Sequence, residues 1–340
     1  MMRARHGLRP RPLGETPTSV TPAKAGVQAD RKVPEMVRSR TGVSAGIKAI
    51  TLFLTLTLAT VTLAQTPTPP VGPPEFGPAH GTLMIIGGGL RSEALLKQFI
   101  ALAGGPDASI LFIPTAGEGD EPGIYWEDMR DLQAAGARRV TMLHTRDRKV
   151  ADSDAFVAPI KQATGVFIGG GRHWRLSDAY LNTKTHTELR SLLDRGGVIA
   201  GTSAGATIQC EFMVRGDTKG NEIMIGDHTQ GLGFIKGVTI DQHVLRRNRQ
   251  FDLIPVIEQH PELLGIGIDE DTAIVVRRDR FEVVGSSYVL IYDNQKTTGA
   301  DGQFYFLAPG DRFNLKTREA ERPQPRGVPI DRVQKKPWKD

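Results

Sequence analysis

The sequence predicts an α/β protein: a doubly wound, mostly parallel sheet with antiparallel strands at its C-terminal edge. Three observations carry that prediction. Between about residues 81 and 316, short apolar runs alternate with amphipathic stretches. The runs are bounded by Gly, Pro or polar residues, as buried parallel strands are. The last runs follow one another without long helices between them, which marks an antiparallel edge of the same domain.

In chain order, strands are expected at Leu83–Ile86, Ser109–Ile113, Arg139–Leu143, Gly165–Ile168 and Gly197–Ala200. Helices are expected between them at Ser92–Ala103, Glu121–Ala135, Ser153–Ala163 and Thr185–Arg195. The later strands are Thr272–Val276, Arg280–Val284 and Tyr288–Tyr292. No internal repeat interrupts this order, so one domain is expected over 81–316.

What flanks the domain differs in composition. Residues 1–64 carry ten Lys and Arg against three acids, which accounts for the overall net charge of +5 and leaves the remaining chain slightly acidic. A nucleic-acid partner is therefore not expected. An apolar run, Ala49–Leu63, follows the basic stretch; its length suits a signal-peptide core better than a membrane span. Thr62-Leu63-Ala64 offers a small-x-small cleavage site, and Met36 is an alternative start that gives a leader of ordinary length. The expectation is export to a periplasm or the cell exterior, with cleavage after Ala64 and no stable membrane insertion afterwards. Residues 65–80 are Pro-rich and expected as a linker, and 317–340 as a charged, Pro-rich tail.

The composition excludes collagen-like, disulfide-scaffold and multispan membrane classes. A single cysteine, Cys210, forms no intramolecular disulfide and no cysteine-built zinc site. His and carboxylate spacing points to no metal, and no cofactor is expected. The chemistry must come from oxygen and nitrogen groups.

The informative stretch is Gly197-Val-Ile-Ala-Gly-Thr-Ser203-Ala-Gly-Ala206, an apolar strand running through G-x-S-x-G toward a helix. Such an elbow exposes a serine hydroxyl at the carboxyl end of a sheet and aims the next N–H, that of Ala204, at a developing oxyanion. The serine needs a base, and the base an orienting acid. Of seven histidines after residue 64, His243 follows the apolar run Val238–Ile240 in Asp-Gln-His and so falls at a strand end. Glu270 lies in Asp269-Glu270-Asp271 at the end of another apolar run, while Glu222 stands between Ser203 and His243. Both acids remain candidates on the residues alone. A capping serine in a structural turn is the bland alternative for the elbow.

The GTSAGA elbow, the DQH with arginines after it and GIGIDEDTA together resemble peptidase family S51, most of all its cyanophycinase-like branch, from about Leu83 to Tyr292. The resemblance implies a fold related to class I glutamine amidotransferases, flavodoxin-like in topology, and a Ser-His-Glu triad. Carried over by position, Ser203 is nucleophile, His243 general base and Glu270 the orienting acid, with Glu222 the second choice. It also implies oxyanion N–H groups at Ala204 and Gly171, and substrate contacts from Arg172, Gln242, Arg247 and Arg249. Two departures stand out: Gly170-Gly171 is followed by Arg172-His173-Trp174, and Asp252 stands where a further arginine is expected. The expected substrate is a small acidic or aspartyl-containing peptide in an altered pocket; a homodimer is left open. A non-catalytic acidic-peptide binder and a small-molecule amidase or esterase are the alternatives. Gly87–Gly89 reads as a tight strand-to-helix connection, and Cys210 as a core residue on the helix after the elbow.

Overall fold

A computed structural model of the chain describes residues 75–90, 92–119, 121, 125–296 and 303–323. The expected leader, most of the linker and the end of the tail lie outside the described residues. In chain order the elements are β1 (Thr82–Ile86), α1 (Glu93–Leu102), β2 (Ser109–Ile113), α2 (Trp126–Ala134), β3 (Arg139–Met142), α3 (Arg148–Ala151), α4 (Asp154–Gln162), β4 (Gly165–Ile168), α5 (His173–Tyr180), α6 (Lys184–Asp194) and β5 (Val198–Thr202). After β5 come α7 (Ala204–Thr207), β6 (Cys210–Phe212), β7 (Ile235–Gln242), α8 (Ile254–Gln259), β8 (Leu264–Ile268), β9 (Thr272–Arg277), β10 (Arg280–Gly285), β11 (Val289–Tyr292), β12 (Tyr305–Leu307), β13 (Arg312–Asn314) and β14 (Glu319–Glu321).

Among the described residues the strands form two sheets. The larger has the order β14-β13-β10-β9-β1-β5-β4-β2-β3. Its β1-β5-β4-β2-β3 half is parallel, and β9, β10, β13 and β14 continue it antiparallel. The smaller sheet, β12-β11-β8-β7-β6, is parallel across β6, β7 and β8 and antiparallel beyond. Tyr288–Tyr292 was expected at the edge of the first sheet; Val289–Tyr292 instead pairs with β8 in the second. Both sheets are strand-rich and apolar, so periodicity alone does not say which one a strand joins.

The period-two alternation of side chains sorts the central strands into two cores. Leu83, Ile85, Leu111, Ile113, Val166, Ile168 and Ile199 face α4, α5, α6 and the second sheet, represented by Ile240, Ile266 and Ile268. Met84, Ile86, Ile110, Phe112, Phe167, Val198 and Ala200 face α1 and α2. A third cluster, including Val244, Val256, Ile257 and Leu290, packs α8 onto the second sheet. Serine caps set two helix starts: Ser92 Oγ accepts from Ala94 N at 3.1 Å, and Ser153 Oγ from Phe156 N at 3.3 Å.

Three expectations are corrected. Residues 75–80 are docked rather than free: Asp279 Oδ1 accepts from the N–H groups of Glu75 and Phe76, and Phe76 packs on the core. Residues 319–321 pair with β13 as an edge strand, so the tail begins later than Thr317. The helix after the elbow is only Ala204–Thr207, and Cys210 opens β6, fully buried. No described helix is long and apolar enough to cross a membrane.

Candidate active site

β5 lies between β1 and β4 and is followed by Ser203, whose backbone takes φ 55° and ψ −114°. That region is sparsely populated for a residue with a Cβ. The conformation is held by Ser203 N–H donating to Ile86 O at 3.1 Å. The elbow glycines are a steric requirement: a Cβ on Gly201 would lie 2.0 Å from Gly205 O, and one on Gly205 2.2 Å from Ile168 O. Ala204 opens α7, so its N–H belongs to the helix's unsatisfied first turn. The turn after β4 completes this side of the site. A Cβ on Gly170 would sit 3.2 Å from Ser203 Cβ, whereas Gly171, at φ 138°, packs against Ala116 O. Gly170 is thus the glycine that touches the serine.

His243 follows β7 at φ 57°, its N–H donating to Gly87 O at 2.9 Å. Its Nε2 lies 3.0 Å from Ser203 Oγ, and its Nδ1 lies 2.7 Å from Glu270 Oε1. With the carboxylate fixing the Nδ1–H tautomer, Nε2 keeps its lone pair toward the hydroxyl. Gly88 lies directly against the ring, for a Cβ there would fall 2.1 Å from Cε1; one on Gly89 would fall 2.3 Å from Glu270 Oε2. Gly87–Gly89 is therefore more than a connection. Three consecutive glycines exceed what a turn needs, and that excess was the signal available in the sequence.

The three clustered acids divide their work. Glu270 faces His243. Asp269 Oδ1 accepts from Leu245 N and Arg246 N at 3.1 and 2.9 Å, bracing the chain after His243. Asp271 Oδ1 accepts from Ser92 N at 2.9 Å. Glu222, the other candidate acid, is 80% exposed and pairs with Arg249 at 2.9 Å, not with the histidine. Burial pushes the His243 pKa down, and Arg247 and Arg249 add to this; the Glu270 hydrogen bond opposes it without reversing the direction. The ring is thus neutral, and able to accept a proton, at neutral pH.

A search of protein families matches Peptidase family S51 to residues 83–284. The chain belongs to that family. It is 33% identical over 263 residues to the cyanophycinase of Geminocystis herdmanii, covering 71% of this chain and 96% of the relative. It is 35% identical over 260 residues to the cyanophycinase of a Nostoc species, covering 69% and 86%. Among solved structures, a peptidase from an acI-B1 actinobacterium superposes with a TM-score of 0.54 at 26% identity, covering 69% of this chain and 97% of the other. The S51 chain is a serine-type peptidase, a hydrolase of peptide substrates with the flavodoxin-like α/β fold of its relatives.

The arginines of this S51 peptidase are differently placed. Arg247 is exposed and, among the described residues, has no ion pair. Arg249 is buried, holds Glu222, and lies 3.5 Å from Gln242 Oε1 through Nη1. Gln242 in turn meets His173 Nε2 at 3.2 Å. Arg172 Nη2 donates to Asp217 O at 2.8 Å. Sequence reasoning missed Arg215. Fully buried, it donates Nε and Nη2 to the two oxygens of Asp241 at 2.7 and 2.9 Å, and Nη2 to Asp252 at 2.6 Å. Asp252, unexpected as an acid, is half of that arrangement. Tyr180 is buried against Thr115. A cavity of about 310 Å³ reaches Ser203 and Gly170, with Phe112, Phe167 and Leu132 in its walls.

Proposed function

We propose that this S51 peptidase is exported and hydrolyses aspartyl-type peptide bonds through an acyl-enzyme formed on Ser203. The observation that carries the reading is the continuous hydrogen-bonded chain from Ser203 Oγ through His243 to Glu270, at 3.0 and 2.7 Å. His243 Nε2 takes the Ser203 proton as Oγ attacks the scissile carbonyl, and Glu270 stabilises the imidazolium that forms. Ala204 N–H, with the Gly170–Gly171 turn opposite, receives the oxyanion. The imidazolium protonates the leaving amine, and a water activated by the same histidine then hydrolyses the ester.

Acidic substrates are supported by the guanidinium groups beside the site. Arg247 is the available grip for a substrate carboxylate, while Arg249 is held by Glu222. Arg172 is held by Asp217 O, and Gln242 is buried beside His243. The relatives named cyanophycinases support peptides of aspartyl type, and the Arg172-His173-Trp174 turn supports a pocket of its own shape. Fluorophosphonate labelling of the 65–340 chain, with the adduct mapped by mass spectrometry, tests the nucleophile. Labelling at Ser203 is expected; labelling elsewhere, or none in folded protein, overturns the reading. A panel of α- and β-aspartyl peptides then reads the bond type. Export is tested separately by sequencing the N-terminus of protein recovered outside the cytoplasm, expected at about residue 65.

A further inference from the structure

His228 lies on the connection between β6 and β7, and both its ring nitrogens face carboxylates. Nδ1 is 2.9 Å from Asp227 Oδ1 on the same connection, and Nε2 is 2.9 Å from Asp178 Oδ1 on α5. A neutral imidazole has one N–H and one lone pair, so one carboxylate would face a lone pair; only the imidazolium donates to both. The two segments it joins are facing walls, the second of which reaches the cavity at Ser203 through Gly170. The β6–β7 connection carries Arg215, Asp217 and Glu222, while the turn leading into α5 carries Gly170 and Arg172. Beside the imidazole, the same walls meet through Arg172 Nη2 with Asp217 O at 2.8 Å and Ser177 Oγ with Gln230 O at 3.1 Å.

We propose that His228 is a charged staple: as the imidazolium it holds the β6–β7 connection against α5 beside Ser203, and its deprotonation releases that wall. The consequence for turnover rests on the peptidase reading above, whereas the consequence for the connection does not. The groups facing the ring are Asp227 on its own segment, and Asp178 and the Trp174 indole on α5, the indole 6.4 Å away. Arg175 lies 5.3 Å from that indole, and Arg148 on α3 donates to the carbonyls of Asp178 and Leu181. Partial burial pushes the His228 pKa down, but the hydrogen bonds and charges of Asp227 and Asp178 together outweigh it and leave the pKa above its ordinary value. Because the closed-state pKa is raised, the staple is fully present below about pH 6.5 and is lost as pH rises through that higher value.

Amide hydrogen exchange of the 213–231 segment in the intact chain, corrected for intrinsic exchange, tests this at pH 6 and 8.5. The wild type is expected to lose roughly tenfold protection at the higher pH, the order of one charge-assisted hydrogen bond, with β2 and β4 unchanged. His228→Gln and Asp178→Asn are expected to exchange fast at both pH values. Equal protection at both pH values in the wild type, or wild-type exchange in His228→Gln, overturns the staple. Fluorophosphonate labelling on the same samples separates the two readings. Labelled Ser203 with pH-independent exchange removes the staple alone, and pH-dependent exchange without labelling removes the peptidase mechanism alone.

Discussion

Ser203 and His243 both hold positive φ, at 55° and 57°, and each is fixed there by its N–H donating to the segment after or at the end of β1. Such residues cost about 1–3 kcal/mol each and persist only when surrounding contacts over-determine them. Here the strain aims Oγ at Nε2. Ser203→Ala is expected to lower turnover of a cleaved aspartyl peptide by ~10⁶-fold and to abolish labelling, as loss of the nucleophile does in a serine protease. Glu270→Gln should cost ~10⁴-fold, because an amide can donate to Nδ1 and so place the proton on Nε2. Glu222→Gln, tested beside it, should leave the acylation rate close to wild type. Since the His243 pKa is lowered, acylation should rise with pH through a midpoint below 6.5; a midpoint at or above 6.5 would contradict the burial argument.

Between residues and whole fold, the decisive units are the turns at the carboxyl ends of β1, β4, β5, β7 and β8. The β1 turn is the support for the others, because Gly88 and Gly89 leave room for the His243 ring and the Glu270 carboxylate. Gly88→Ala should therefore lower the acylation rate about a hundredfold by displacing the imidazole, with thermal unfolding shifted by only a few degrees. Near-normal acylation in that variant would show that the ring is positioned by other contacts. Arg215 does a different job, tying Asp241 at the end of β7 to the β6–β7 connection. Arg215→Leu leaves a fully buried carboxylate without its partner and should destabilise the fold by about 3–5 kcal/mol in urea unfolding.

Across the whole molecule, Ser203 follows a strand of one sheet, and His243 and Glu270 follow strands of the other. The sheets are joined where the N–H groups of His243, after β7, and Asp271, after β8, donate to the Gly87 and Gly88 carbonyls after β1, each at 2.9 Å. His173 sits in the same region, 1% exposed, and burial first, then the nearby Arg215, Arg172 and Arg249, push its pKa down to about 3. Between about pH 6.5 and 3 the unfolded chain binds a proton there that the folded chain does not. Stability is thus complete above about pH 6.5 and falls as pH drops toward 3, by at most ~1.4 kcal/mol per pH unit from this group. Urea midpoints at pH 4 and 7 should show that loss in the wild type and a smaller one in His173→Gln.

By itself the sequence determined the parallel half of the first sheet, because β1, β2, β4 and β5 are short apolar runs that can only be buried strands. It also determined the elbow, since Gly201 and Gly205 are the residues a sharp strand-to-helix turn around a serine demands. His243 and Glu270 were legible as strand-end residues, and through the resemblance to S51 peptidases, but not as neighbours of Ser203. Only the tertiary structure decided that, because a second sheet formed by β6, β7, β8, β11 and β12 carries them to the first. Nothing in hydropathy separates β11 from β10, so the division into two sheets has no local signature. The pairing of Arg215 with Asp241 and Asp252, the choice of Glu270 over Glu222 beside His243, and the two carboxylates around His228 join residues up to 50 positions apart. Such contacts depend on where chain segments cross in space, and one-dimensional spacing does not encode that.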